Sequence, residues 1–253
     1  MKRIAAVAYA LYRPVLYLII IINTVVLGTL TILGSYLDPT GNHVHYIGKF
    51  WARLNLLFSG VNVRLLNRAA IQPGQSYILM SNHQSHYDVL ALIGFMPLQL
   101  RWVIKKELRK IPIFGLGCER MGQIFIDRGN PEKAYKSLEA AGEKIRNGAS
   151  VVFFPEGTRS PDGKLLPFKK GGFAIAFAAG VPILPVTVRG SRTVLPKGTA
   201  RIRPGTIELV VHNPVPLDGY SPENRDDLMQ RVKSAIDSGL STKSSGNPIL
   251  TPP

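Results

Sequence analysis

Residues 76–88 read Ser-Tyr-Ile-Leu-Met-Ser-Asn-His-Gln-Ser-His-Tyr-Asp. The apolar run Ser76–Met80 is predicted as a strand, and the polar cluster Asn82–Asp88 follows it directly, ahead of apolar Val89–Ile93. Polar groups at the carboxyl end of a strand in an α/β sheet stand where such folds bind ligands. The same grammar recurs downstream. Arg101–Ile104, Gln123–Ile126, Val151–Phe154, Ile183–Val188 and Ile207–Val211 read as further strands. Pro131–Arg146, with Ala134, Leu138, Ala141 and Ile145 on one face, reads as a helix, as do Gly172–Ala179 and Pro222–Ser238. Alternating strands and helices predict an α/β fold with a mixed, mainly parallel sheet flanked by helices.

Composition narrows the function. The chain has 253 residues, 45% of them hydrophobic, so neither disorder nor a collagen-like repeat describes it. Its one cysteine, Cys118, builds neither a disulfide within the chain nor a multi-cysteine metal site. There are 31 Lys and Arg against 16 Asp and Glu, a net charge of +15, which calls for an anionic partner. No helix-turn-helix and no RNA-binding aromatic pattern accompanies that charge, so nucleic acid is not the expected partner.

The first third of the chain points to a membrane surface. Residues 1–87 carry seven basic residues and one acid, Asp38, and Pro14–Leu37 is uncharged. As a helix that run would be about 36 Å long, enough for a hydrocarbon core of about 30 Å. Arg3 and Arg13 before it would leave the N-terminus in the cytoplasm. It is longer than the apolar region of a signal peptide, and no small-x-small cleavage site follows. A second stretch, His45–Val63, repeats Phe50, Trp51, Leu54, Leu57 and Phe58 at helical spacing but is interrupted by Lys49 and Arg53. That pattern fits a helix at headgroup level, and the two segments together fit a hairpin entering one leaflet. Residues 1–65 are therefore expected to form a membrane-associated two-helix segment, 66–240 the catalytic domain, and 241–253 a loose tail.

Four predicted strand ends carry the chemistry. His83 and Asp88 lie five apart; with His83 at or just outside the first helical turn, Asp88 can fix one ring nitrogen and leave the other to take a proton from a hydroxyl. Ser85 lacks the Gly-x-Ser-x-Gly elbow of an exposed nucleophile, and His83, His86 and Asp88 lack an obvious fourth metal ligand. Phe153–Ser160, Phe-Phe-Pro-Glu-Gly-Thr-Arg-Ser, places Glu156 and Arg159 around a glycine; Arg159 suits a phosphate or carboxylate. Phe125-Ile126-Asp127-Arg128 ends another strand, and Lys105-Lys106 a third; Lys169 and Lys170 precede paired glycines. A basic pocket around a general base, joined to a membrane-seated N-terminus, suggests a hydroxyl of a phosphorylated lipid attacking an activated acyl group.

These residues resemble the glycerolipid acyltransferases, most of all the bacterial 1-acyl-glycerol-3-phosphate acyltransferases. Asn82–Asp88 matches that family's His-x4-Asp motif at His83 and Asp88, and Gly122–Arg128 its Phe-x-x-Arg motif at Phe125 and Arg128. Phe154–Ser160 matches Phe-Pro-Glu-Gly-Thr-Arg-Ser at Glu156 and Arg159, Val181–Pro185 the proline-containing fourth motif, and Lys105 a lysine that follows the catalytic motif. The motifs occur in family order between about Tyr77 and Val188.

The resemblance implies an active site facing the cytoplasm at the bacterial inner membrane, held monotopically by the N-terminal helices. His83 would deprotonate the 2-hydroxyl of lysophosphatidate and Asp88 would orient it. Arg128, Arg159 and Lys105 would bind the glycerol phosphate, with Glu156 on the glycerol portion. Acyl-CoA or acyl-acyl-carrier-protein would be the cosubstrate, with no metal and no other cofactor. Another lysolipid acceptor, such as lyso-ornithine lipid, would use the same motifs. A non-catalytic basic membrane-binding protein would explain the charge but leave the strand-end motifs without purpose.

Overall fold

The structure is a computed structural model that describes residues 2–38, 40–127 and 141–241. Helix α1 (Lys2–Gly34) and helix α2 (Val44–Phe58) form the N-terminal pair. The α/β part follows as β1 (Val61–Leu66), β2 (Ile78–Ser81), α3 (Tyr87–Phe95), β3 (Leu100–Lys105), α4 (Phe114–Arg120), β4 (Ile124–Ile126) and β5 (Ser150–Phe153). It ends with α5 (Gly171–Ala179), β6 (Ile183–Arg189), the single turn α6 (Ser191–Val194), β7 (Gly205–Val211) and α7 (Arg225–Ser241).

The seven strands form one sheet in the order β1-β7-β6-β2-β5-β3-β4. Every neighbouring pair is parallel except β6 with β7. The carboxyl ends of β2, β3, β4, β5 and β6 therefore share one edge of the sheet, and β2 stands in the middle of it. Strands covered on both faces read as unbroken apolar runs, and Ile78-Leu79-Met80 is buried throughout. Leu79 belongs to the cluster beneath α1, α2 and α3, whereas Ile78 and Met80 pack beneath α5 and α7 with Phe173, Leu228 and Val232.

Two elements differ from the sequence expectation. The stretch His45–Val63 is divided: α2 stops at Phe58, Gly60 takes a left-handed φ of +67°, and Val61 opens β1. Glycine tolerates that backbone where a side chain would clash, so the helix ends there. In β1, buried Val61 and Val63 alternate with exposed Asn62 and Arg64. The second difference is α4, seven residues in the connection between β3 and β4, where no element was predicted. Of the predicted helix Pro131–Arg146, only 141–146 lies within the described residues, and those are helical. The expected tail beyond Ser241 lies outside them.

Helix α1 runs through Pro14 and lays one face along the rest of the chain. Leu16, Asn23, Leu27, Thr31 and Ser35 are buried at helical spacing, while Val15, Leu18, Ile22, Val26, Leu30 and Leu33 are exposed. On the buried side Asn23 Nδ2 donates to Asn55 Oδ1 (2.9 Å), and Trp51 Nε1 donates to Thr24 Oγ1 (3.0 Å). Tyr17 Oη donates to the Ala200 carbonyl (2.6 Å), tying α1 to the loop after α6. Gly28 faces Ile113 so closely that a Cβ would stand 2.7 Å from its Cγ2, which lets α4 approach α1.

Asp38 secures the turn between α1 and α2. It accepts hydrogen bonds from Thr40 Oγ1 (2.5 Å), His43 N (2.6 Å) and Val44 N (3.3 Å). Burial alone would raise this carboxyl; the hydrogen bonds outweigh it and hold the pKa down to about 2. Buried Arg101 on β3 reaches the same turn through Asn42 Oδ1 (2.6 Å).

Candidate active site

The cluster after β2 folds as a tight loop into α3, whose first turn contains Asp88. Asp88 Oδ2 collects three donors: Gln84 N (2.7 Å), Ser85 N (2.8 Å) and His83 Nδ1 (2.8 Å). The two backbone N–H groups fix the carboxylate, and the carboxylate fixes the imidazole. Because Oδ2 can only accept, Nδ1 carries the proton and Nε2 keeps its lone pair. Asp88 is fully buried and the His83 side chain is 15% exposed, so the ring alone reaches the open side.

A second loop, after β5, holds the imidazole from behind. The Phe154 ring stacks on His83 at 3.9 Å between centroids and 9° between planes. Ser160 N donates to the His83 carbonyl (2.7 Å), while Asn82 pairs with Val188 through both amide atoms (2.9 and 2.7 Å). Phe154 lay in the quoted motif, but its stacking role depends on how β5 and β2 adjoin. Period-2 alternation continued one residue past β5, which puts Phe154 on the same side as Val152, is the signal that would have raised it.

Glu156 occupies an unexpected place. Its Oε1 accepts from His83 N (2.7 Å) and its Oε2 from Leu166 N (2.9 Å), and the residue is 2% exposed. Burial raises its pKa above the ordinary carboxylate value, although both N–H bonds oppose that. The carboxylate thus ties the loop after β2 to two points of the loop after β5, around the base of His83. Glu156→Gln would turn an amide N–H toward one of these backbone donors. We expect kcat to fall about tenfold to a hundredfold with the KM for the acceptor nearly unchanged. A raised KM with kcat retained would instead place Glu156 on the substrate.

The cations surround the same opening. Arg159 and Lys105 line the cavity described below, and neither forms an ion pair among the described residues. The Arg159 carbonyl accepts from Lys197 Nζ (2.7 Å), which holds its backbone. Lys106 is engaged with Asp127 (2.5 Å), leaving Lys105 as the strand-end lysine free to meet an anion. Lys169 packs across Gly157, whose φ is +71°; a Cβ there would stand 2.9 Å from Lys169 Nζ. Arg128 lies outside the described residues. His86 borders the opening; partial burial, then Arg159 and His83, push its pKa below the ordinary histidine value, against the opposing charge of Asp88.

Behind this polar rim lies a cavity of about 1370 Å³. Its body is apolar, formed by Val25, Gly28, Trp51, Ile113, Phe114 and Cys118, between α1, α2 and α4. Two potential nucleophiles nearby are unsuited to the task. Ser85 is fully buried and its hydroxyl donates to the Leu195 carbonyl (2.8 Å). Burial pushes the Cys118 thiol up to about 12, far from the thiolate. Among the described residues no group of three His, Cys, Asp or Glu is arranged to hold a metal ion.

Residues 62–189 match the model of the family described as Acyltransferase. The chain is 34% identical over 173 residues to a chloroplast 1-acyl-sn-glycerol-3-phosphate acyltransferase of Brassica napus, covering 68% of this chain and 50% of that one. It therefore spans about half the length of that plastid relative. It is 31% identical over 232 residues to the 1-acyl-sn-glycerol-3-phosphate acyltransferase of Pseudomonas aeruginosa, covering 90% of this chain and 89% of the other. Among solved structures, the 1-acyl-sn-glycerophosphate (LPA) acyltransferase PlsC of Thermotoga maritima superposes with a TM-score of 0.79 at 30% identity. That match covers 97% of this chain and the whole of the other.

Proposed function

The chain belongs to the acyltransferase family, and from that footing we propose that it acylates the 2-hydroxyl of 1-acyl-glycerol 3-phosphate, giving phosphatidate. The acyl donor is acyl-CoA or acyl-acyl-carrier-protein. The observation that carries this reading is the His83–Asp88 pair beside a large apolar cavity whose lining includes Arg159 and Lys105, neither ion-paired among the described residues. His83 Nε2 takes the proton from the acceptor hydroxyl as its oxygen bonds to the thioester carbonyl carbon. The C–S bond then breaks, and the thiolate leaves with the proton carried by the imidazolium. Asp88 stabilises that imidazolium. The states of Ser85 and Cys118 favour direct transfer over an acyl-enzyme.

Arg159 and Lys105, with Arg128, are assigned to the glycerol phosphate, and the apolar cavity to the acyl chain. Charge supports an anionic substrate and surface: from Gly163 to Ile207 there are eight Lys and Arg and no carboxylate. Arg192, Lys197, Arg201 and Arg203 in that span are exposed.

The packing of α1 supports a monotopic seat at the cytoplasmic membrane. Contact with the domain runs from Leu16 to Thr31, about 22 Å along the helix at about 1.5 Å per residue. A crossing α1 would draw the catalytic domain into the hydrocarbon. Lying flat, it instead presents its exposed apolar stripe to one leaflet, beside Phe50 and Leu57 of α2.

Product analysis by mass spectrometry tests the reaction. Protein in mixed micelles receives an acyl-CoA and, separately, 1-acyl-glycerol 3-phosphate, glycerol 3-phosphate or lyso-ornithine lipid, and the series is repeated with acyl-carrier-protein donors. Phosphatidate from the first acceptor alone is the expected result. Product from another acceptor would reassign the substrate, and binding without turnover by any donor would leave a membrane-binding protein.

A further inference from the structure

His83 changes charge during the proposed reaction, and an aromatic face lies where that charge forms. The His83 and Phe154 rings are stacked face to face, 3.9 Å between centroids and 9° between planes. The Phe154 ring is itself held in place. Buried Trp102 on β3 backs it at 5.5 Å and a 42° tilt. The turn that follows it is closed by Gly157 N on the Phe154 carbonyl (3.0 Å) and by Lys169 N on the Pro155 carbonyl (2.8 Å). A histidine beside an aromatic residue need not lie this way: His45 and Tyr46 meet edge-on, 6.2 Å between centroids and 69° between planes. The stack covers one face of the imidazole and leaves its edge for hydrogen bonds, Nδ1 to Asp88 and Nε2 to the opening.

The face of an aromatic ring carries negative potential and attracts a cation within about 6 Å of its centroid. A neutral imidazole stacked there gains ordinary packing, whereas an imidazolium gains the electrostatic attraction as well. His83 passes between these states in each turnover, taking the hydroxyl proton at Nε2 and giving it to the departing thiolate. Arg159 and Lys105 line the same opening and oppose a further positive charge, while Asp88 and Glu156 favour it. We propose that Phe154 is a positioning residue whose ring face fixes the plane of the imidazole and stabilises its protonated form. The stack is then stronger in the transition state than in the resting enzyme, which is the condition for it to raise the rate. Asp88 acts within the ring plane through Nδ1; Phe154 acts through the face and leaves Nε2 to the acceptor hydroxyl.

Fluorination of Phe154 separates charge from shape. Fluorine withdraws electron density from the ring face and weakens its pull on a cation, while the ring keeps almost its size. Replacing Phe154 by 4-fluoro-, 3,5-difluoro-, 3,4,5-trifluoro- and pentafluorophenylalanine should lower the single-turnover rate constant stepwise. The full series should span about threefold to thirtyfold, with the KM values for donor and acceptor within twofold. Phe154→Leu, which is apolar but has no π face, should lose at least as much, and Phe154→Tyr should keep most of the rate.

A rate constant that stays within twofold across the fluorinated series overturns the inference, even where Phe154→Leu is slow, because the ring is then a steric wall only. A loss carried by KM rather than by the rate constant overturns it as well, and places the ring on the substrate. The first members of the series differ from the native protein only in ring hydrogens, so they decide the question if Phe154→Leu fails to fold. The inference rests on the acyl-transfer reading: an inactive wild type removes that reading, whereas an active wild type with a flat fluorinated series removes this inference alone.

Discussion

His83→Ala should lower kcat for phosphatidate formation by about 10³-fold, near the middle of the range for loss of a positioned general base. Little else should change. Among the described residues the ring makes one hydrogen bond, to Asp88, and stacks on Phe154. The backbone contacts that shape the loop, His83 N to Glu156 and the His83 carbonyl to Ser160 N, do not depend on the side chain. The KM values for donor and acceptor should stay within a few-fold, because the proposed anion contacts are assigned to Arg159 and Lys105 rather than to the imidazole. Steady-state kinetics in mixed micelles, beside a thermal melt, makes the distinction. A comparable loss of melting temperature and activity would mean that the side chain holds the loop rather than the proton.

Asp88→Ala should cost as much activity and, unlike His83→Ala, stability too. The substitution strips the acceptor from the His83 Nδ1–H and also from the buried Gln84 and Ser85 N–H groups. Leaving a buried donor unsatisfied costs about 1–3 kcal/mol, so a clear drop in melting temperature should accompany a kcat loss of about 10³-fold or more. Asp88→Asn separates the two contributions. The two backbone donors hold the amide oxygen, not its NH2, in the place of Oδ2, so the imidazole keeps its tautomer and loses only the negative charge beside the developing imidazolium. Its kcat loss should therefore be about tenfold smaller than that of Asp88→Ala, with most of the stability retained. Equal losses in the two variants would show that charge, not orientation, dominates.

Much of this was legible in the sequence, for physical reasons that differ by element. The strand β2 and its polar end announced themselves because a parallel strand buried on both faces is continuously apolar and stops where water and ligands begin. His83 and Asp88 could be paired from spacing, since a five-residue step closes when the histidine lies ahead of the helix. Glu156 could be recognised as important, but its two backbone partners could not be read, because every residue offers the same N–H whatever its side chain. α1 was legible as an apolar helix. Its contact along the domain, marked by Leu16, Asn23, Leu27 and Thr31, was obscured by a sequence apolar on nearly every face. Short α4 was missed because seven residues around three glycines, counting Gly122 just beyond it, give too little periodicity to register.

Direct transfer from thioester to hydroxyl, with His83 as base and no acyl group resting on the protein, is the central proposal for this enzyme family member. The most direct test mixes the enzyme with excess acyl-CoA in the absence of acceptor, and follows thiol release and intact protein mass on the timescale of one turnover. Direct transfer predicts no burst of CoA and an unmodified mass, with CoA and phosphatidate appearing together once 1-acyl-glycerol 3-phosphate is added. One equivalent of CoA released beforehand, with a matching acyl adduct on the chain that the acceptor then discharges, would contradict it.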